Sequence, residues 1–379
     1  MDIVIFSFSE KAGRLSTYLN QKLAKLYNCN VISYTSAKYA YISGISTMDK
    51  TIQHTVHEYF KTGNIIIFIS ACGIAVRSIA PFIKNKTTDP CVIVMDELGH
   101  YVISLLSGHI GGGNAFTQKI ATITGAVPVI TTATDINNKF SIDVFAKNNG
   151  LHITDMYKAK DISADIIHNK RVGMITGRYI NIDGDIPDEI DIIVPGYYTF
   201  TGNVQLNPGS YDNIFIITPF TDYFKAAGID CHNKKCNKLY ITPKQTVLGI
   251  GCKRDTDTDK LSTFVKNILM QYNISPASIA AITSIDIKKN EPALINLAKE
   301  YNCDFLTYDN STLKNVPGDF SSSEFVTKIT GVDNVCERAA LCCSNNNHLF
   351  LRKIKSDGMT IAIAFLDINI SMLEAELSC

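Results

Sequence analysis

The chain has 379 residues, 36 Lys+Arg against 36 Asp+Glu, 46% apolar side chains, 11 Cys and no Trp, which describes a folded protein with room for two or three cores. A formal net charge of zero excludes a general electrostatic pull toward nucleic acid or an anionic membrane, so neither partner is expected and any working charge must be local. The longest nearly apolar run, Ile65 to Val76, is broken by Ser70 and Gly73 and is shorter than the roughly 18 residues of a membrane span.

The chain opens on MDIVIFS, with an acid at position 2 and no basic stretch, which reads as a buried first strand rather than a leader. With an odd number of scattered cysteines, reduced thiols and a cytoplasmic location are expected. Leu15, Leu19, Leu23 and Leu26 follow at helical spacing, and Ile52, Val56, Tyr59 and Phe60 mark a second helix face. The β-branched run Ile65 to Ile69 predicts a strand, followed by a short helix that must end near Pro81. Cys91 to Met95 and Tyr101 to Leu106 read as a hairpin turning at Gly99. A glycine loop, Gly108 to Gly113, opens a helix from Asn114 to Thr124 that Gly125 can close, and Val127 to Ile130 is the next strand.

Beyond residue 137 the sequence is more polar, with helical pieces near Ile142 to Asn148 and Ala159 to His168 and strands near Val172 to Ile175 and Ile214 to Thr218. The stretch around Asp183 to Pro187 reads as connection, and 221–245 has linker or exposed-hairpin composition. From Gln245 a new strand–helix alternation begins with Val247 to Gly251. The expected fold is α/β in three domains: an N-terminal layered sheet with flanking helices (1–136), a smaller α/β middle domain (137–220), a linker (221–245) and a C-terminal layered α/β unit (246–379).

The stretch Ser107-Gly108-His109-Ile110-Gly111-Gly112-Gly113-Asn114 is the most informative local feature. A strand feeding a glycine loop and then a helix can aim backbone N–H groups at a carboxylate, phosphate or oxyanion. The competing reading is a tight turn whose glycines only allow close packing. The P-loop Lys-Ser/Thr ending and the dinucleotide glycine spacing are both missing. His109 is a candidate general base; Glu97 on the hairpin turn and Asp135 at a strand's carboxyl end are further acid–base candidates, against solvation for the first and a helix cap for the second. Arg77 can reach a carboxylate with its bidentate fork, and Lys253 and Arg254 sit at the end of a strand, against ordinary surface ion pairing. Cys252 beside them is either an activated thiol or an inert buried one. Cys231, His232 and Cys236 lack a fourth ligand for zinc nearby. Glu337 can pair along its helix or point into a cleft.

These segments together resemble the cobalt-precorrin-5A hydrolase family of anaerobic cobalamin biosynthesis. The resemblance is carried by Gly73-Ile74-Ala75-Val76-Arg77-Ser78-Ile79-Ala80-Pro81, Thr88-Asp89-Pro90, Asp96-Glu97-Leu98-Gly99, Leu105 to Gly112 and Ile130 to Asp135. It is carried independently by Gly249 to Arg254, Glu291-Pro292, Ser323 to Gly331 and Val335 to Leu341, which are also similar to a small stand-alone protein of the aerobic pathway. Gly113 departs from the family pattern, which usually has Ala there.

The resemblance implies hydrolysis of the δ-lactone of cobalt-precorrin-5A, with acetaldehyde released and cobalt-precorrin-5B remaining. It implies a cobalt-corrinoid substrate that brings its own metal, so no enzyme-bound cofactor or metal is required. It leaves room for transient contact with neighbouring pathway enzymes or for a homodimer. Such a substrate, wide, apolar and fringed with carboxylates, suits an apolar cleft rimmed by cations and helix N-termini, here Arg77, Lys253, Arg254 and the loop Ser107, Gly108, Gly111, Gly112, Gly113, Asn114. In this reading His109 is the base and the loop amides stabilise the oxyanion, with Glu97 and Asp135 in reserve. A non-catalytic corrinoid carrier or scaffold is the alternative, and a nucleotide-dependent α/β enzyme a third reading.

Overall fold

Strands with apolar residues at successive positions can be buried only if helices cover both faces of their sheet. Three such strands, β1 (Asp2–Ser7), β4 (Ile65–Ile69) and β5 (Cys91–Met95), form the centre of the first sheet. The structure, a computed structural model, describes residues 1–85, 88–109, 111–137, 139–193, 211–227, 236–321, 327, 331–344 and 348–372. Two units divide the chain, Met1–Val144 and Phe145–Leu373.

In the first unit, seven strands lie in the order β3-β2-β1-β4-β5-β6-β7, with β2 (Asn30–Thr35), β3 (Ser46–Thr47), β6 (Tyr101–Leu106) and β7 (Val127–Val129) completing the sheet. Alternation along the central strands sorts their side chains. Ile3, Ile5, Ile67 and Ile93 pack with Leu19 and Leu23 of α1 (Glu10–Tyr27) and Phe116 and Ile120 of α4 (Gly113–Thr124). Val4, Phe6, Phe68 and Val94 pack on the other face with Val56 of α2 (Ile52–Tyr59) and Ala75 and Ile79 of α3 (Cys72–Ile79). Helix α1 starts at Ser9, whose hydroxyl accepts the Ala12 N–H at 3.2 Å, and stops at Asn28 in the left-handed region.

Strands β1 to β5 run parallel, and β5 and β6 are antiparallel, as the hairpin reading expects. Gly99 takes φ +74° at the turn, and the Asp96 carboxylate accepts the N–H groups of Tyr101 (2.6 Å) and Leu98 (2.9 Å). Burial pushes the Asp96 carboxyl up, but the backbone donors of Tyr101, Leu98 and His100 outweigh it and hold it below the usual range. Two short helices close the unit, α5 (Ala133–Ile136) and the start of α6 (Ile142–Asn148).

The second unit holds two five-stranded sheets and a strand pair. The middle sheet has the order β11-β9-β12-β13-β8, from β8 (His152–Ile153), β9 (Val172–Thr176), β11 (Ile190–Ile192), β12 (Asn213–Ile217) and β13 (Asn237–Thr242), with α7 (Met156–Ile167) between β8 and β9. Its β13 and the short helix α8 (Tyr223–Ala227) lie in the stretch read as linker. Strand β13 pairs parallel with β12, and Leu239 and Ile241 are fully buried, so the polar residues around them hide a core strand. Strand β10 (Ile180–Asp183), partly within sequence read as connection, pairs in parallel with β19 (Ile368–Ser371).

The last sheet, β16-β15-β14-β18-β17, comprises β14 (Thr246–Gly251), β15 (Ile279–Ile285), β16 (Asp304–Tyr308), β17 (Leu349–Ser356) and β18 (Met359–Phe365). Helices α9 (Thr258–Gln271) and α10 (Pro292–Glu300) cover one face, α11 (Asn310–Asn315) follows β16, and α12 (Val335–Ser344) packs on the other face. The fully buried Gln245 ties the two sheets, its amide donating to the carbonyls of Arg178 (3.0 Å), Tyr179 (3.3 Å) and Leu366 (3.0 Å). Glu337 points inward, 1% exposed, accepting from the Asn334 amide at 2.5 Å and the Lys353 N–H at 2.7 Å. Its neighbour Arg338 instead pairs with Asp333 at 2.8 Å and lies over the Phe320 ring. The motif Ser323 to Val326 lies outside the described residues.

Candidate active site

Strand β6 delivers the chain into the glycine loop, and the loop folds on itself before α4 begins. Ser107 takes φ +55° and Gly112 φ +80°, and Gly112 stands at the N-cap, where it offers no side chain. The Gly113 N–H donates to the Ser107 carbonyl (3.2 Å), the Asn114 N–H to the Gly108 carbonyl (2.8 Å) and the Gly112 N–H to the His109 carbonyl (2.9 Å). Those three amides are therefore occupied and cannot serve as oxyanion donors. Among the described residues, the N–H groups of Gly108, Gly111 and Ala115 have no acceptor.

Three of the loop glycines also have a packing reason. A Cβ at Gly108 would overlap the Asn114 amide oxygen, one at Gly111 the Ser107 carbonyl, and one at Gly113 would stand 3.1 Å from the Gly108 Cα. Asn114, 5% exposed, donates to the Thr132 hydroxyl at 2.9 Å, which fastens the end of β7 to the start of α4. Asp135 lies in α5 just beyond Thr132, and its side chain is outside the described residues.

His109 projects from this loop with its side chain 16% exposed. Its Nδ1 is 2.9 Å from the Ser141 hydroxyl and 3.4 Å from the Asp143 carboxylate. The Ser141 hydroxyl itself donates to Asp143. A hydroxyl has one proton, so with that proton directed at Asp143 the Ser141 oxygen accepts from His109 Nδ1–H. The tautomer so fixed makes Nε2 the basic nitrogen. Ser141 and Asp143 flank the first residue of α6, and neither was among the sequence candidates. The signal available was a Ser and an Asp at the start of an apolar helix, which reads first as capping. The Asp143 carboxylate does accept the Val144 N–H at 3.1 Å.

The other candidates lie elsewhere. Glu97 is exposed on the β5–β6 turn and accepts the Ser9 hydroxyl at 2.5 Å. That turn and the glycine loop are at opposite ends of β6, roughly 20 Å apart for a strand of this length. Arg77 is exposed on α3 with its guanidinium folded back toward Gly73, where a Cβ would be 3.3 Å from Nη2. Glu97, Ser9 and the start of α3 share the carboxyl edge of β1, β4 and β5, where the strand order reverses between β1 and β4. His109 and its partners share the opposite edge.

Lys253 and Arg254 are exposed after β14 in the second unit. The Lys253 stem packs where a Cβ on Gly358 would stand, at the β17–β18 turn. Burial pushes the Cys252 thiol up, with Lys288 pulling more weakly the other way, so it is not an activated nucleophile. Glu291, 6% exposed, accepts from Lys288 at 2.8 Å and from the Thr256 N–H at 3.2 Å, which holds the loop after β14 against the loop after β15. Among the described residues Cys72, Cys252, Cys303, Cys336, Cys342 and Cys343 are free thiols, and no group of three or more His, Cys, Asp or Glu there is placed to hold a metal ion. Cys231 and His232 lie outside the described residues. No described helix is long and apolar enough to cross a membrane.

The cobalamin synthesis G N-terminal family matches residues 54–135, and the cobalamin synthesis G C-terminus family matches residues 246–364. The chain is 33% identical to the cobalt-precorrin-5A hydrolase of Salmonella typhimurium, covering 84% of this chain and 87% of that protein. It is 29% identical to the cobalt-precorrin-5A hydrolase of Priestia megaterium, over 85% of this chain and 84% of that protein. Over 31% of its length it is 30% identical to the protein CobE of a Sinorhizobium species, covering 78% of that protein.

Proposed function

The chain belongs to the cobalamin synthesis G family, and we infer from that premise that it is a cobalt-precorrin-5A hydrolase of cobalamin biosynthesis. The observation that carries this is likeness to hydrolases of that name along most of both chains. The reaction opens the δ-lactone of the substrate and releases acetaldehyde, leaving cobalt-precorrin-5B. The cobalt belongs to the substrate.

We propose that His109 Nε2 takes a proton from water as the water adds to the lactone carbonyl. Ser141 and Asp143 position the imidazole and stabilise the imidazolium that forms, since the Nδ1 proton is directed toward the carboxylate through the hydroxyl. The tetrahedral oxyanion is met by the N–H groups of Gly108 and Gly111, which have no acceptor among the described residues. Its collapse frees the acetate and expels the C20 alkoxide. That alkoxide becomes the carbonyl of acetaldehyde as its bond to the macrocycle breaks, and the electron pair passes into the conjugated ring.

Asp143→Asn keeps the size of the side chain but removes the charge facing the imidazolium. It is expected to lower acetaldehyde release by at least about tenfold with the fold unchanged. The check is an anaerobic assay of the purified variant on cobalt-precorrin-5A with an aldehyde trap; turnover at the unaltered rate would remove Asp143 from the mechanism. The same assay on the unaltered protein separates a hydrolase from a carrier, which would bind the substrate and release nothing.

A further inference from the structure

A cavity of about 470 Å³ lies on the same sheet edge as the glycine loop, between the end of α2 and the chain that enters β5. Phe60 and Phe82 form its apolar wall, their ring centroids 5.9 Å apart, and the His57 ring packs against Phe82 at 5.0 Å with the two planes tilted by 45°. Lys61 and Lys84 stand exposed in the lining, and neither ammonium has an acidic partner among the described residues. Asp89 is the acid of this lining. It is 7% exposed, and its carboxylate is turned into the wall, accepting the backbone N–H groups of Lys84 (2.9 Å) and Asn85 (3.0 Å). The lining thus offers two uncompensated cations beside an aromatic surface, a combination suited to a ligand with an apolar ring and a carboxylate.

The cavity wall is joined to the glycine loop, because the Ser107 hydroxyl donates to the Asp89 carbonyl at 3.0 Å. Pro81 ends one of the runs that carried the family resemblance and Thr88-Asp89 begins another; these residues line the cavity, and the lactone step uses none of them. We propose that this cavity is a subsite for one corner of the macrocycle, with a ring edge against Phe60 and Phe82 and a peripheral carboxylate between Lys61 and Lys84. The proposal rests on the functional reading above and names where the rim of the substrate is held.

The test uses the full chain and uroporphyrin, a tetrapyrrole with acetate and propionate arms, titrated with porphyrin fluorescence as the readout. The double variant K61E/K84E, which reverses two exposed charges, is expected to raise the Kd at least about tenfold, and Phe82→Ala to raise it with the charges intact. Circular dichroism identical to that of the unaltered chain shows that each variant is folded. An unaltered Kd in folded K61E/K84E, or no saturable binding by the unaltered chain, overturns the proposal. So does Lys61/Lys84-dependent stabilisation by free 3-phenylpropionate without uroporphyrin binding, which would make the cavity a separate small-carboxylate site. Acetaldehyde release by the unaltered chain is scored independently: release with an unaltered Kd removes the subsite alone, and loss of binding in the variant without release by the unaltered chain removes the hydrolase reading alone.

Discussion

His109→Gln is expected to lower acetaldehyde release from cobalt-precorrin-5A by about 10²–10⁴-fold, the usual contribution of a positioned general base. Glutamine can still hydrogen-bond to Ser141 but takes no proton at neutral pH, so the loss falls on chemistry and the loop should keep its shape. Thermal unfolding of the variant, run beside the assay, verifies that shape. The informative contrast is Glu97→Gln, because Glu97 stands at the other end of β6 with Ser9 as its partner. If His109→Gln is nearly as fast as the unaltered chain and Glu97→Gln is slow, the reaction belongs to the carboxyl edge of β1 and β4, and the roles assigned to His109, Ser141 and Asp143 fall together.

Gly249→Ala is expected to destabilise the second unit by about 3 kcal/mol. The sequence reading treats Gly249 as part of a glycine-bearing strand end at a ligand edge. In the fold it has another duty: a Cβ there would overlap the Cys336 carbonyl and press on the Ala340 methyl, at 2.9 Å. Backbone cannot move aside as the tip of a side chain can, so α12 would have to lift from β14 and open the cluster of Val247, Ala340, Leu341 and Ala364. Urea unfolding of the variant, followed by circular dichroism, should show an earlier transition for this unit. A midpoint unchanged within error would contradict the packing account.

Legibility in the sequence followed the range of the interactions. Short-range features were readable: β1, β4 and β5 from their β-branched runs, the turn at Gly99, and α4 closed by Gly125 at φ +77°. Pairing across long separations was not. Ile180 meets Ile368, and β13 is a core strand inside a stretch whose Asn, Lys and Cys residues suggested a linker. The glycine loop was placed correctly between β6 and α4, but nothing local reveals that the Ser107, Gly108 and His109 carbonyls occupy three of its amides. Glu97 was held in reserve beside His109 for the same acid–base role, yet the strand between them carries the two to opposite edges. The partners of His109 come from residues 141 and 143, and only tertiary folding makes a Ser and an Asp of ordinary capping type into a hydrogen-bonded chain.

The most direct measurement is a single-turnover experiment under anaerobic conditions, with the purified chain in excess over cobalt-precorrin-5A and a trap for aldehyde. One acetaldehyde per substrate consumed, together with the mass of cobalt-precorrin-5B, is the predicted result. Substrate recovered unconverted from the protein, with no aldehyde trapped, would contradict the account and leave a corrinoid carrier in its place.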